Sequence, residues 1–183
     1  MTNWSEKKLS RNIARGDEKS FARVYDLYVN KLYKFVFLKT NSREAAEEIV
    51  QDVFMKFWKF ALNNGKDIKS ISAVLYKIAR HLVIDYYRSS SVDKAFFQLE
   101  ENILPDGIYG KDIAKDIDTE YDLKEVEQAI SILPEQYQNI IIMKYIDDLT
   151  NKEIAEALDK EEGNIRVLAH RALIALKKIV LKN

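Results

Sequence analysis

In 183 residues the chain carries only two prolines and five glycines, and over most of its length Val, Ile, Leu and aromatic side chains recur three and four positions apart. That period puts apolar groups on one face of an α-helix, and no segment shows the strict alternation of a half-buried strand. With so few breakers, long helices are the solution open to most of the chain. The exception runs from about residue 92 to 122, where Pro105, Gly107, Gly110 and a run of acidic side chains collect. The pattern predicts an all-α chain of two small helical domains, 1–93 and 123–183, joined by an acidic linker over 94–122, with the C-terminal domain a helix-turn-helix. Phe96, Phe97, Ile103 and Leu104 make the linker apolar enough to dock on a domain.

The formal net charge of zero is a cancellation. Residues 1–95 hold 18 Lys and Arg against 11 Asp and Glu, a balance of +7; residues 96–122 hold 2 against 8, or −6; residues 123–183 hold 9 against 10, or −1. Exposed charges are screened beyond about 8–10 Å at physiological salt, so an acidic linker does not abolish anion binding by a basic face elsewhere. The absence of cysteine excludes disulfides and thiolate metal sites, and His81 and His170 are too few for an imidazole-rich one. No metal and no cofactor are expected. The chain shows no basic-then-apolar leader, and no apolar run nears the roughly 20 residues that cross a bilayer. These features predict a cytoplasmic chain without membrane insertion.

In the first domain, Ser5 to Gly16 and Glu18 to Lys39 read as two amphipathic helices. Ser42 can cap a third, whose Ala46, Ile49, Val50, Val53, Phe54 and Phe57 share a face destined for the core, with Glu44, Glu48, Gln51, Asp52 and Met55 towards the other side. That second face is either a solvated surface or an interface. A fourth helix, Ile71 to Arg88, sets Leu75, Ile78, Ala79, Leu82 and Tyr86 on its apolar side. Lys77, His81 and Arg88 fall within about 40° of one another on the opposite side, with Arg80 nearby, at 100° per residue. A charged stripe opposite the core is ordinary for a surface helix; one that is almost purely basic, with aromatics beside it, suits nucleic acid.

The C-terminal third contains the sharper local signal. Thr150 and Glu153 have the spacing of a capping box, in which each side chain satisfies a backbone N–H of the other, and Ile154, Ala155 and Leu158 follow on one face. Asp159 and Lys160 fall in a turn. A second run begins at Gly163 and Asn164, with Ile165, Leu168, Ala169, Ala172 and Leu176 at helical spacing. From Gly163 to Asn183 there are five basic residues and no acidic one, as suits a helix against phosphates. A helical hairpin with a solvated basic face has the same local pattern.

Three blocks in order along nearly the whole chain resemble the extracytoplasmic function group of sigma-70 family transcription initiation factors. They are Ala45-Ala46-Glu47-Glu48-Ile49-Val50-Gln51-Asp52-Val53-Phe54, then Leu75-Tyr76-Lys77-Ile78-Ala79-Arg80-His81-Leu82-Val83-Ile84-Asp85-Tyr86-Tyr87-Arg88, and Leu133-Pro134-Glu135-Gln136-Tyr137 with the helix-turn-helix after it. The resemblance implies a factor that binds core RNA polymerase, recognises minus-thirty-five and minus-ten promoter elements and helps melt the promoter. It implies that Glu48, Gln51, Asp52 and Met55 dock on the polymerase clamp helices. It also implies that the loop from Asn63 to Ser72 and the following helix open the minus-ten element and hold a base out of the stack; Asn63, Asn64, Lys66, Lys69, Lys77, Arg80, His81 and Arg88 are of the needed type. For the minus-thirty-five duplex it points to Asn164, Arg166, His170 and Arg171. Arg can pair with guanine and Asn with adenine, each good bidentate contact giving about 1–3 kcal/mol of discrimination.

An anti-sigma factor is a further partner that the resemblance allows. The chain departs from the family in three places: Val167-Leu168 stand where a Ser-Arg pair is frequent, Val74 where a Trp is common, and His81 where an Asn is common. Promoter specificity therefore does not carry over. Three rival readings stand beside this one. A helix-turn-helix regulator acting without polymerase leaves the basic first domain without a task; an enzyme built on His81 and Asp85 lacks converging ligands or acid-base partners; a helical adaptor would use the acidic face alone.

Overall fold

The computed structural model describes residues 3–89 and 123–181, so the expected linker over 94–122 lies outside the described residues. Every regular element among those residues is helical: α1 (Asn3–Ile13), α2 (Glu18–Thr40), α3 (Arg43–Asn64), α4 (Ile71–Ser89), α5 (Leu123–Ile132), α6 (Glu135–Ile141), α7 (Asn151–Leu158) and α8 (Glu162–Val180). The starts are written in the local sequence, because a helix N-terminus leaves backbone N–H groups that a short polar side chain can satisfy. Asp17 accepts from the Ser20 N–H and Ser42 from the Ala45 N–H. At α7 the capping box is complete: Glu153 N–H donates to Thr150 Oγ1 and Thr150 N–H to Glu153 Oε2. Asn41 and Asp159, both at positive φ, close α2 and α7 with left-handed C-caps.

The long helices α2, α3 and α4 pack together around Val24, Leu32, Phe35, Val36, Val53, Phe57, Leu75 and Tyr76, all buried. The apolar face expected for α3 is the one that faces this core. A second group of helices, α5 to α8, buries Ile130, Leu133, Ile140, Ile142, Ile154, Ile165 and Ala172. Each of these Ile and Leu side chains contributes roughly 1.5–3 kcal/mol on leaving water. Between α5 and α6, the Gln138 amide donates to the carbonyls of Ser131 and Leu133 at 3.0 and 2.8 Å and so ties off the α5 end.

Two features are not anticipated by the periodicity. The first is a wide π turn, Ile142–Ile146, that continues α6 and ends with the Asp147 N–H on Ile142 O at 3.0 Å. The second is that the two groups of helices close on each other, with α4 against α7 and α2 against α5, so that their buried side chains form one continuous cluster. Polar contacts cross this seam at named points. Tyr76 Oη donates to Asp147 Oδ2 at 2.5 Å, Ser72 Oγ to Glu153 Oε1 at 2.6 Å, and Lys39 Nζ to Asn139 Oδ1 at 2.8 Å. Lys31 Nζ reaches Asp147 O at 2.7 Å. Arg80 lies 3.6 Å from Glu135 and Lys77 2.6 Å from Asp159.

Candidate nucleic-acid interface

Three surfaces carry the residues singled out from the sequence. On α3, Glu48, Gln51, Asp52 and Met55 are all exposed, and Met55 is 57% exposed despite being apolar. They sit on α3 because its opposite side is spent on the core, and a rigid, doubly packed helix holds them as one strip. Glu47 beside them is tied to Arg43 at 3.2 Å; Tyr25, whose ring meets Phe54 at 4.6 Å, lends a further exposed aromatic edge from α2.

The second surface is a cleft of about 510 Å³ between the end of α3, the loop to α4, α4 itself and α7. It gathers Asn64, Lys69, Lys77 and His81 from among the eight residues expected at the minus-ten element, with Phe60, Ile68, Val74 and Ile78 as an apolar floor and Glu156 from α7. An apolar floor rimmed by ammonium and imidazole groups is suited to a flat base with a phosphate beside it. Gly65 sets the path of the loop: a Cβ there would come within 2.4 Å of Ser10 O and 2.5 Å of Ala61 O, so only glycine lets the chain turn this tightly against α1.

The other four residues are placed elsewhere. Asn63 donates to Lys59 O on its own helix, outside the cleft wall, and Lys66 is exposed on the loop. Arg80 turns towards Glu135 across the seam, and Arg88 sits at the exposed end of α4, 3.9 Å from Asp85. The basic stripe is therefore split, with Lys77 and Arg80 engaged by the C-terminal half and His81 and Arg88 outward. Phe60 and Ile68 were missed in the sequence, though Phe60 lies one turn before Asn64 and on the same face of α3. Glu156 had no sequence signal, since only the closure of the two halves brings it there.

The third surface is the start of α8. Asn164 and Arg166 are exposed there, and His170 and Arg171 half-buried one turn later. Arg166 reaches Glu162 only at 3.5 Å, a loose, solvent-exposed pair that leaves the guanidinium accessible. Val167, 40% exposed, shares this surface. The turn from α7 runs through Asp159, Lys160 and Glu161 before α8, giving the two-helix geometry in which the second helix can enter a major groove.

Electrostatics inside the seam is shaped by burial. Loss of water brings the Lys39 ammonium down to about 8, the nearby Glu135 opposing and Arg80 adding to the shift. Burial also raises the Asp147 carboxyl, against the hydrogen bond from Tyr76 and the charge of Lys31. Glu153 is likewise desolvated, yet the hydrogen bonds from Ser72 and Thr150 outweigh that and leave it below the ordinary carboxylate value.

With these surfaces in place, comparison with known proteins is decisive. The family model for sigma-70 region 2 matches residues 24–92, and that for sigma-70 region 4 matches residues 123–176. The chain belongs to the sigma-70 family. Region 2 thus spans most of α2, all of α3 and α4 and all of the cleft wall but Glu156, and region 4 spans α5, α6 and the helix-turn-helix. The chain is 28% identical over 185 residues to the ECF RNA polymerase sigma factor SigW of Bacillus subtilis (strain 168), covering 94% of this chain and 95% of that one. Its fold is similar to that of CnrH, solved in complex with the cytosolic domain of CnrY, with a TM-score of 0.73 at 17% identity over 98% and 99% of the two chains. It is also similar to the sigma factor RpoE of Bartonella quintana, solved with the anti-sigma factor NepR, with a TM-score of 0.65 at 20% identity over 88% and 97%. Among the described residues no helix is long and apolar enough to cross a membrane.

Proposed function

We propose that this chain is an extracytoplasmic function sigma factor that works in the cytoplasm as the promoter-specificity subunit of RNA polymerase. The observation that carries the reading is the succession of a region 2 match and a region 4 match on a chain whose exposed acidic strip, basic-rimmed cleft and helix-turn-helix occupy separate surfaces. Its task is binding and strand opening rather than bond chemistry. Glu48, Gln51, Asp52 and Met55 form the face that docks on the polymerase clamp. The cleft takes an unstacked minus-ten base: Asn64 offers an amide to a base edge, Lys69, Lys77 and His81 face the backbone, and Phe60 and Ile68 replace the lost stacking partners. Extruding a base costs a few kcal/mol, which phosphate contacts and one stacking surface are able to offset. Asn63, Lys66, Arg80 and Arg88 serve the flanking phosphates.

Asn164 and Arg166 are placed to read base edges of the minus-thirty-five duplex, with His170 and Arg171 a turn further along the same helix. Arg166 has the reach for guanine O6 and N7. The exposed Val167 offers apolar contact to a thymine methyl, and this substitutes for the polar pair frequent in the family. An anti-sigma protein is a further partner under this reading, as the Bartonella relative is held by one.

The test is promoter-selective transcription by core polymerase with and without the chain, on DNA randomised upstream of the start. Enriched starts sharing two spaced motifs are the expected result; a folded chain that enriches nothing would overturn the reading.

A further inference from the structure

Helix α1 precedes the region 2 match, which starts at residue 24, yet its inward face closes against the loop that lines the cleft. Glu6, Leu9, Ser10 and Ile13 follow one another at helical spacing and are all buried. A carboxylate in such a row is costly unless donors meet it. Tyr28 Oη donates to Glu6 Oε1 at 2.6 Å, and the Ile71 N–H donates to Glu6 Oε2 at 3.2 Å. Burial and the neighbouring carboxylate both push the Tyr28 phenol up, so it stays a donor. Ile71 opens α4, and a helix start holds N–H groups that have no partner within the helix. There Ser70 Oγ takes the Ala73 N–H at 3.2 Å, while the Ile71 N–H is met by a side chain 65 positions upstream. An anionic acceptor at a helix N-terminus also suits the helix dipole.

The other end of the loop is held by the same helix. At Gly65 an added Cβ would come within 2.4 Å of Ser10 O and 2.8 Å of Ala14 Cβ, so the chain passes directly against α1. Residues 66–70 are thus strung between two fixed points, Gly65 and Ile71. Asp67, Ile68, Lys69 and Ser70 from this loop line the cleft, with Ile68 buried and Lys69 exposed. We propose that Glu6 is a positioning residue for capture of the minus-ten strand: through the Ile71 N–H it fixes the loop that sets Ile68 under the unstacked base and Lys69 beside its phosphate. This rests on the assignment of the cleft to the minus-ten element. Glu6 itself touches no DNA in this role and acts through the loop backbone. Discrimination between bases needs a seat of fixed width, and groups that line a seat hold their places only when a supporting layer locks them.

The test reads base preference in each promoter element separately, by transcription with core polymerase and the full chain on DNA randomised upstream of the start. Glu6→Ala should flatten the preference at a minus-ten position about three- to tenfold, the effect of one lost hydrogen bond. Preferences in the minus-thirty-five element and affinity for core polymerase should stay within about twofold. Tyr28→Phe, which takes away the donor that steadies the carboxylate, should act in the same direction, and it decides on the same readout if Glu6→Ala does not fold. Glu6→Gln should keep the minus-ten preference, since its carbonyl oxygen accepts the Ile71 N–H and its amide donates to Tyr28 Oη. Val36→Ala opens a cavity at a buried core position about two turns along α2 from Tyr28. It should lower the melting temperature and leave both sets of preferences unchanged. A minus-ten preference kept in Glu6→Ala, or lost equally in Glu6→Gln or Val36→Ala, would overturn the positioning role while leaving the sigma assignment intact. If the natural chain with polymerase enriches promoters that have no minus-ten motif, the cleft assignment itself fails, and the positioning role with it.

Discussion

Region 2 presents two surfaces to which the proposed function gives work, and they differ in what covers them. The α3 strip of Glu48, Gln51, Asp52 and Met55 is open to solvent, whereas the α4 surface is crossed by region 4, which engages Ser72, Tyr76, Lys77 and Arg80. Under the proposed function, the strip assigned to polymerase is open on the chain as it stands, whereas the face assigned to the DNA strand is partly covered by region 4.

The contrast can be broken or sharpened by substitution. The largest effect is expected on the open side. Gln51→Ala with Asp52→Ala should weaken binding to core polymerase by about thirtyfold or more, on the order of 2 kcal/mol, with helicity and melting unchanged. Unchanged affinity in a binding titration would remove α3 as the docking strip. On the covered side, Tyr76→Phe takes the hydroxyl from the buried Asp147 carboxylate and should cost about 1–3 kcal/mol of stability, measured by denaturant unfolding. A neutral result would show that the seam is open in solution. Arg166→Ala, on a surface that the seam leaves exposed, should cost about 1–3 kcal/mol at one upstream base pair, seen as relaxed preference there in the enriched promoters. A uniform loss over all sequences would make it a phosphate contact.

The smallest effect is a pH slope. Lys39 sits below its ordinary 10.5 in the folded chain, at about 8, so between those values the unfolded chain binds more protons and folded stability rises with pH. Below about 8 both states are protonated and the full penalty of burying the ammonium is felt. Between pH 8 and 9.5 the natural chain should therefore gain about 1–2 kcal/mol relative to Lys39→Met, whose curve should be flatter. Parallel curves from thermal melts would mean that Lys39 is hydrated and the α2 side of the seam is loose.

What the residues disclosed in advance follows how far apart the interacting groups lie in the chain. The α3 core face was legible because Ala46, Ile49, Val50, Val53 and Phe57 repeat on one helix, and the start of α7 because Thr150 and Glu153 are three residues apart. Asn64, Lys69, Lys77 and His81 come from the end of α3, the loop after it and α4, and the structure gathers them into a single cleft. Lys39 and Asn139 are a hundred positions apart, and nothing local distinguishes a lysine that will be buried from one that stays wet. The same holds for Arg80, which belongs to a basic stripe by periodicity and to Glu135 by packing. Glu156 reads as an ordinary surface acid of α7 until the halves close.

The π turn at Ile142–Ile146 accommodates one residue more than an α-helix of the same span. Each residue in an α-helix advances the side chains by about 100°, so that surplus residue acts as a phase shift for all that follows it. Asp147 comes out of the turn buried under Tyr76, with Asp148 behind it at a positive φ of 58°. Delete one residue between 142 and 146 and the helix regularises, swinging Asp147 off its partner while the helix-turn-helix keeps every residue of its own. Within region 4, the register of the helix-turn-helix against α5 and α6 is thus tuned like a vernier, by a single count in the chain rather than by the chemistry of any side chain.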